Sequence, residues 1–189
     1  MSSDEIVHRV RASVFAQEAE WRLVDDRLVW SAIGKTRAGD MGVIALDQVE
    51  SVRLTNEPAR VGSRMFCRLR TRDGAVALIA SAHTAGVFSA QDRSLTYKAL
   101  VRTLVARIAV ANPKARFLTG LTPIVWWSVV LGLAGLLGAL GALSVIAGRE
   151  IFTTRILVGL ALIALGTPNL VRWLTTNRPG AFKPANPPL

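Results

Sequence analysis

Arg64, Arg68, Arg70 and Arg72 recur at alternate positions of a run that also holds Met65, Cys67, Leu69 and Thr71. Side chains alternate between faces along an extended strand, so the four guanidiniums share one side with Phe66 and the other residues share the opposite side. Two readings follow. The arginines form a basic strip that contacts anionic lipid or a partner, or they lie on a solvated strand face and pair with carboxylates such as Glu50 or Asp73. Catalysis would need other residues. His8 and His83 are the only histidines and Cys67 the only cysteine, and no metal-ligand spacing links them. Ser81, His83 and Asp92 are the residue types of a nucleophilic triad, but nearness in sequence does not supply its geometry. His83 reads better as a polar residue at a strand end. No phosphate-cradling loop or dinucleotide fingerprint occurs. The expectation is a chain that is not an enzyme and that uses no cofactor and no metal.

Composition sets the bounds for these residues. Of 189 residues, 51% are hydrophobic and the net charge is +10. The excess is +6 over residues 1–121 and +4 over residues 122–189, so it is spread and not concentrated in one block. Spread basic charge suits a membrane-facing protein better than a nucleic-acid binder, and no nucleic acid is expected. A lone cysteine excludes an internal disulfide and reads as a buried, inert thiol. Charged residues from Asp4 to Arg11 interrupt any secretory signal at the N-terminus.

The elements that would position the arginines can be read from periodicity. Residues 1–18 carry Ile6, Val7, Val10, Val14 and Phe15 at helical spacing behind a capping-box pattern, which fits a short N-terminal helix and leaves a strand as the alternative. From Glu20 the pattern becomes strand-like. Asp25-Asp26 marks a tight turn between Trp21–Leu23 and Leu28–Trp30, and Asp73-Gly74 marks a two-residue hairpin. Trp21 and Trp30 could flank a ligand groove, although sheet-face tryptophans are core residues more often. Tyr97, Leu100, Val101, Leu104, Val105 and Ile108 make one apolar face of a helix over about 92–111. Asp92 or Ser94 would cap that helix and Asn112-Pro113 would end it. Lys35, Arg37 and Arg60 fall in loop-like stretches that a partner could reach.

The stretches 20-EWRLVDDRLVW-30, 42-GVIALDQVESVRL-54, 64-RMFCRLRTRDGAVALIA-80 and 94-SLTYKALVRTLVARIA-109 together resemble the bacterial pleckstrin-homology-like (PH-like) domains of small membrane proteins. The resemblance implies an α+β fold, an antiparallel PH-like sheet or partial barrel capped by one C-terminal helix, over residues 19–112. The lipid-binding members of that group carry a basic cluster in the first hairpin loop. Here that turn is Asp25-Asp26, a departure from their pattern.

Beyond a linker at 113–122, two apolar runs predict a two-helix transmembrane hairpin with spans at 123–147 and 151–174, followed by a disordered Pro-rich tail at 175–189. Trp126, Trp127 and Trp173 are placed as interfacial anchors. Ala134, Gly135, Gly138, Ala139, Ala142 and Gly159 are placed as helix-packing residues, or as a face for homo-oligomers. The flanking charges put both termini in the cytoplasm of a two-pass inner-membrane protein. The functional expectation is a membrane-anchored, non-catalytic interaction or scaffolding module. It would touch the lipid bilayer and a protein partner, with an anionic-lipid or small-ligand sensor as the alternative.

Overall fold

The computed structural model describes residues 6–12, 16–33, 41–58, 63–84, 89–146 and 168–189. The chain divides into two compact units, Met1–Thr119 with Gly180–Leu189, and Gly120–Pro179. The first is mixed α+β. Strands β1 (Val7–Arg11), β2 (Glu18–Val24), β3 (Arg27–Ile33) and β4 (Met41–Ala45) form an antiparallel sheet in that order. Strands β5 (Val49–Pro58), β6 (Ser63–Thr71) and β7 (Val76–Ala80) begin a second sheet. A small ribbon of β8 (Ala82–Thr84) and β9 (Ala90–Asp92) leads into helix α1 (Ser94–Ala111). Two strands beyond the helix, β10 (Arg116–Thr119) and β11 (Gly180–Ala181), complete the second sheet in the order β11-β10-β5-β6-β7.

Turn chemistry explains the hairpins. Val24 faces Arg27 across Asp25-Asp26, and Asp25 takes a φ of 47°, which a short polar side chain tolerates better than most. The β6–β7 connection differs from the expected two-residue turn. The Thr71 N–H donates to the Ala75 carbonyl at 3.0 Å, leaving Arg72, Asp73 and Gly74 in a three-residue loop closed by Gly74 at φ 87°. Between the sheets, a single 3-10 turn at Leu46–Gln48 is fastened from both sides. The Leu46 N–H donates to the Asp26 carbonyl, and the Arg72 N–H donates to the Gln48 carbonyl.

One core joins the sheets and the helix. Leu28 and Ile44 come from the first sheet, Val52, Leu54, Cys67, Leu69 and Ile79 from the second, and α1 contributes the six apolar residues that its periodicity marks. Trp21 and Trp30 lie on the inner face of the first sheet with ring centroids 6.0 Å apart, and Trp21 belongs to this core. The α1 helix stops at Asn112, which is buried. Its amide Nδ2 donates to the Val49 carbonyl at 2.9 Å, tying the helix end to the start of β5.

Three expectations for this unit are corrected. Residues 7–11 form strand β1, not a helix. Val7, Val10 and Ile6 fit both periods over so short a run, and pairing with β2 selects the extended form. The expected linker contains β10, which runs parallel to β5 with Phe117 opposite Val52. The expected disordered tail contains β11 and packs onto the domain. Phe182 donates its N–H to the Phe117 carbonyl at 3.1 Å and meets the Phe117 ring edge-on at 5.7 Å.

The second unit holds α2 (Pro123–Ile146) and a helix α3 that covers the described residues 168–176. The expected transmembrane hairpin is overturned, because no helix among the described residues is long and apolar enough to cross a membrane. The two-pass inner-membrane location and the membrane anchoring fall with it. The remainder of the expected second span, with Gly159, lies outside the described residues.

The two ends of this unit meet each other. The Leu121 N–H donates to the Asn177 carbonyl at 2.9 Å, and Trp126 Nε1 donates to the Leu174 carbonyl at 3.0 Å. Gly120, at φ 73°, lets the backbone pass directly against the carbonyls of Asn177 and Arg178.

Candidate binding surface

Register decides which arginines come together. Arg64 does not belong to the strip, because its guanidinium donates to the Ala12 carbonyl and to Thr84 Oγ1 at 2.9 Å and lies 5.0 Å from the Phe66 ring centroid. It fastens the end of β1 to β6 and β8. Arg68, Arg70 and Arg72 are exposed as expected. Arg53 from β5 and Arg116 from β10 join them. Across the outer face one row reads Leu118, Arg53, Arg68, Leu78, and the next reads Arg116, Ser51, Arg70, Val76.

Charge balance differs along these rows. Glu50 is shared, at 2.7 Å from Arg116 and 3.9 Å from Arg70, so pairing with that carboxylate is real for Arg70. Asp73 does not pair with the strip. It accepts hydrogen bonds from the Thr71 hydroxyl and the Ala75 N–H, which hold its carboxyl below the usual range. Arg53 and Arg68 stand opposite one another as like charges. Burial, and then the Arg68 charge, lower the Arg53 pKa. The alternation within β6 revealed Arg68 and Arg70. Arg53 needed the β5–β6 register, and Arg116 needed a strand that the linker reading had passed over.

A second basic feature is a cleft of about 750 Å³ beside the start of α1, lined in part by Arg9, Arg22 and Arg93. Its cations are already engaged. Arg9 and Arg22 both bond the Glu20 carboxylate. Burial alone would raise that carboxyl, and the two guanidiniums outweigh it and hold the pKa low. Arg93 donates to the Arg9 carbonyl and lies 3.8 Å from Glu18. Asp92 also lines the cleft and accepts the Ser94 N–H at 2.9 Å. Three cations facing three carboxylates make a structural network, not an anion receptor.

The imagined triad is not assembled. Ser81 Oγ accepts the Met65 N–H at 2.9 Å, His83 Nδ1 accepts the Arg11 N–H at 3.3 Å, and Asp92 is occupied with Ser94. Cys67 is fully buried and its thiol is pushed up to about 12. Among the described residues no group of His, Cys, Asp and Glu is placed to hold a metal ion. Lys35, Arg37 and Arg60 lie outside the described residues.

In the second unit, Trp126 is held by Leu174 and packs edge-on against Trp127 at 4.9 Å. Trp127 is exposed, and Trp173 is half-buried with its carbonyl accepting from Asn177 Nδ2 at 3.0 Å. Ala134, Gly135, Gly138, Ala139 and Ala142 are exposed, and no described atom would meet a Cβ built on Gly135 or Gly138 within 4 Å.

His8 is buried where β1, β7 and α1 meet. Its Nε2 lies 2.8 Å from the Ala80 carbonyl and its Nδ1 lies 2.9 Å from Thr96 Oγ1. The neutral ring satisfies both contacts when Nε2 carries the proton and the Thr96 hydroxyl turns its single proton to Nδ1 instead of to the Arg93 carbonyl 3.2 Å away. Burial lowers the His8 pKa, opposed by the Ala80 carbonyl and reinforced by the Arg93 charge. The unfolded chain therefore takes up a proton more readily than the folded one. Stability should be level above about pH 6.5, the ordinary histidine value, and fall as the pH drops below it. Urea midpoints taken from pH 7.5 to 5 should show this decline, and His8→Gln should flatten it. An unchanged slope in the variant would assign the decline to other groups.

No family model, curated protein or solved structure matches the chain. The resemblance to PH-like membrane proteins is corrected accordingly. It has no relative to support it, its hairpin is absent among the described residues, and the capping helix is not the last element of the domain, since β10 and β11 follow it.

Proposed function

We propose that the chain is a non-catalytic interaction module that takes an extended protein segment onto the free edge of β7. The supporting observation is that β7 is the outer strand of the second sheet and pairs only with β6 among the described residues. The edge offers the backbone groups of Val76 and Leu78 to an incoming strand, while the Ala80 carbonyl at its end is taken by His8 Nε2. Its outward side chains, Val76 and Leu78, are exposed at 59% and 37%, so an added strand would also cover apolar surface.

A photo-crosslinking side chain at Val76, used in the cells that make the protein, tests this reading. One reproducible heterologous adduct is expected. The same probe at Arg102, exposed on α1, should not give it. Equal adducts at both positions, or self-adducts alone, would overturn the proposal.

A further inference from the structure

We propose that the segment taken by the β7 edge is acidic, with carboxylates at alternate positions that pair with Arg68 in the field of Arg53. This rests on the edge reading above and adds the chemistry of the partner. In register, Arg68 lies between Arg53 on β5 and Leu78 on β7. Like charges directly opposite one another work against strand pairing, and a carboxylate beside them turns that repulsion into charge-assisted hydrogen bonding. Glu50 is taken up by Arg116 and Arg70. Among the described residues no carboxylate lies within ion-pair distance of Arg68.

Distance fits this assignment. A strand added beyond β7 would lie two strand spacings from β6, about 10 Å. An arginine and a glutamate reaching toward each other span that gap across Leu78. Because side chains alternate, only every second residue of the incoming strand faces the arginines. The required partner is thus an extended segment with acidic residues on one face. By contrast, the cleft beside α1 has its guanidiniums matched by Glu20 and Glu18.

The test uses the full chain and two labelled peptides of equal length, one alternating Glu and Thr and the other alternating Gln and Thr. Affinity is read by fluorescence anisotropy and the site by amide exchange of β7. The Glu peptide should bind about threefold tighter at low salt, a ratio one exposed ion pair can supply, and should slow exchange in β7. Arg53→Gln with Arg68→Gln should remove the difference between the peptides. Equal binding of both peptides, with β7 protected by each, would overturn the acidic partner and leave the edge reading intact. No protection of β7 by either peptide would overturn the edge reading together with this one. Binding of phosphatidylglycerol vesicles or inorganic phosphate, with neither peptide bound, would overturn both in favour of a headgroup or free anion.

Discussion

Tyr97→Ala is expected to destabilise the domain by about 3–5 kcal/mol, while Tyr97→Phe stabilises it by about 1 kcal/mol. The opposite signs come from two parts of one side chain. The ring is fully buried on the core face of α1 and meets the His8 ring edge-on at 6.1 Å. Truncation to alanine therefore removes apolar contact and leaves a cavity in the middle of the core. The hydroxyl is also buried, yet it has no hydrogen-bond partner among the described residues, and burial pushes its ionisation far above the ordinary value. Desolvating a hydroxyl without a partner costs about 1–3 kcal/mol, part of which phenylalanine recovers. Urea unfolding with an unchanged slope would measure both effects. A phenylalanine variant less stable than the parent would show that the hydroxyl has a partner worth keeping.

Gly120→Ala is expected to destabilise the second unit by about 2 kcal/mol or more. Two penalties act together. The backbone sits at φ 73°, where a side chain is strained. A Cβ there would also collide with the carbonyl oxygens of Asn177 and Arg178, which are backbone atoms and cannot turn aside. Gly120→Asn separates the causes, because asparagine tolerates positive φ but still carries the Cβ. Asparagine is expected to be no better than alanine. Thermal unfolding followed by Trp126 fluorescence reads the outcome. Rescue by asparagine would assign the whole effect to backbone conformation.

The parts of this fold that were legible in sequence are those with a local physical cause. Six apolar residues at helical spacing, with Asn112-Pro113 behind them, placed α1 because its buried stripe is written on its own eighteen residues. Asp25-Asp26 and Asp73-Gly74 placed two connections because their conformations favour those residue types. The rest depended on distant chain. β10 and β11 are four and two residues long and owe their form to β5 and to each other, so nothing local announces them. Helical spacing at Ile6, Val7 and Val10 misread β1, because a five-residue strand and one helical turn bury similar positions. The binding surface divides in the same way. Arg68 and Arg70 followed from alternation within one strand, but their neighbours Arg53 and Arg116 are set by cross-strand register. Arg64 shares the same alternation and is drawn out of the strip by Ala12 and Thr84, whose positions no local pattern supplies. Apolar content in the second unit predicts two spans, whereas among the described residues no helix is long and apolar enough to cross a membrane.

The pairing of Thr119 with Gly180 has a consequence in polymer terms. The whole excursion from Gly120 to Pro179 leaves and rejoins the sheet at facing residues, so for the first unit it acts as a closed loop. Closure entropy grows only with the logarithm of loop length, so doubling such a loop adds about 0.6 kcal/mol. The β10–β11 pair therefore constrains where the excursion begins and ends and is nearly indifferent to how long it is. Insertions or deletions can accumulate between those points with little effect on the sheet that carries the arginines.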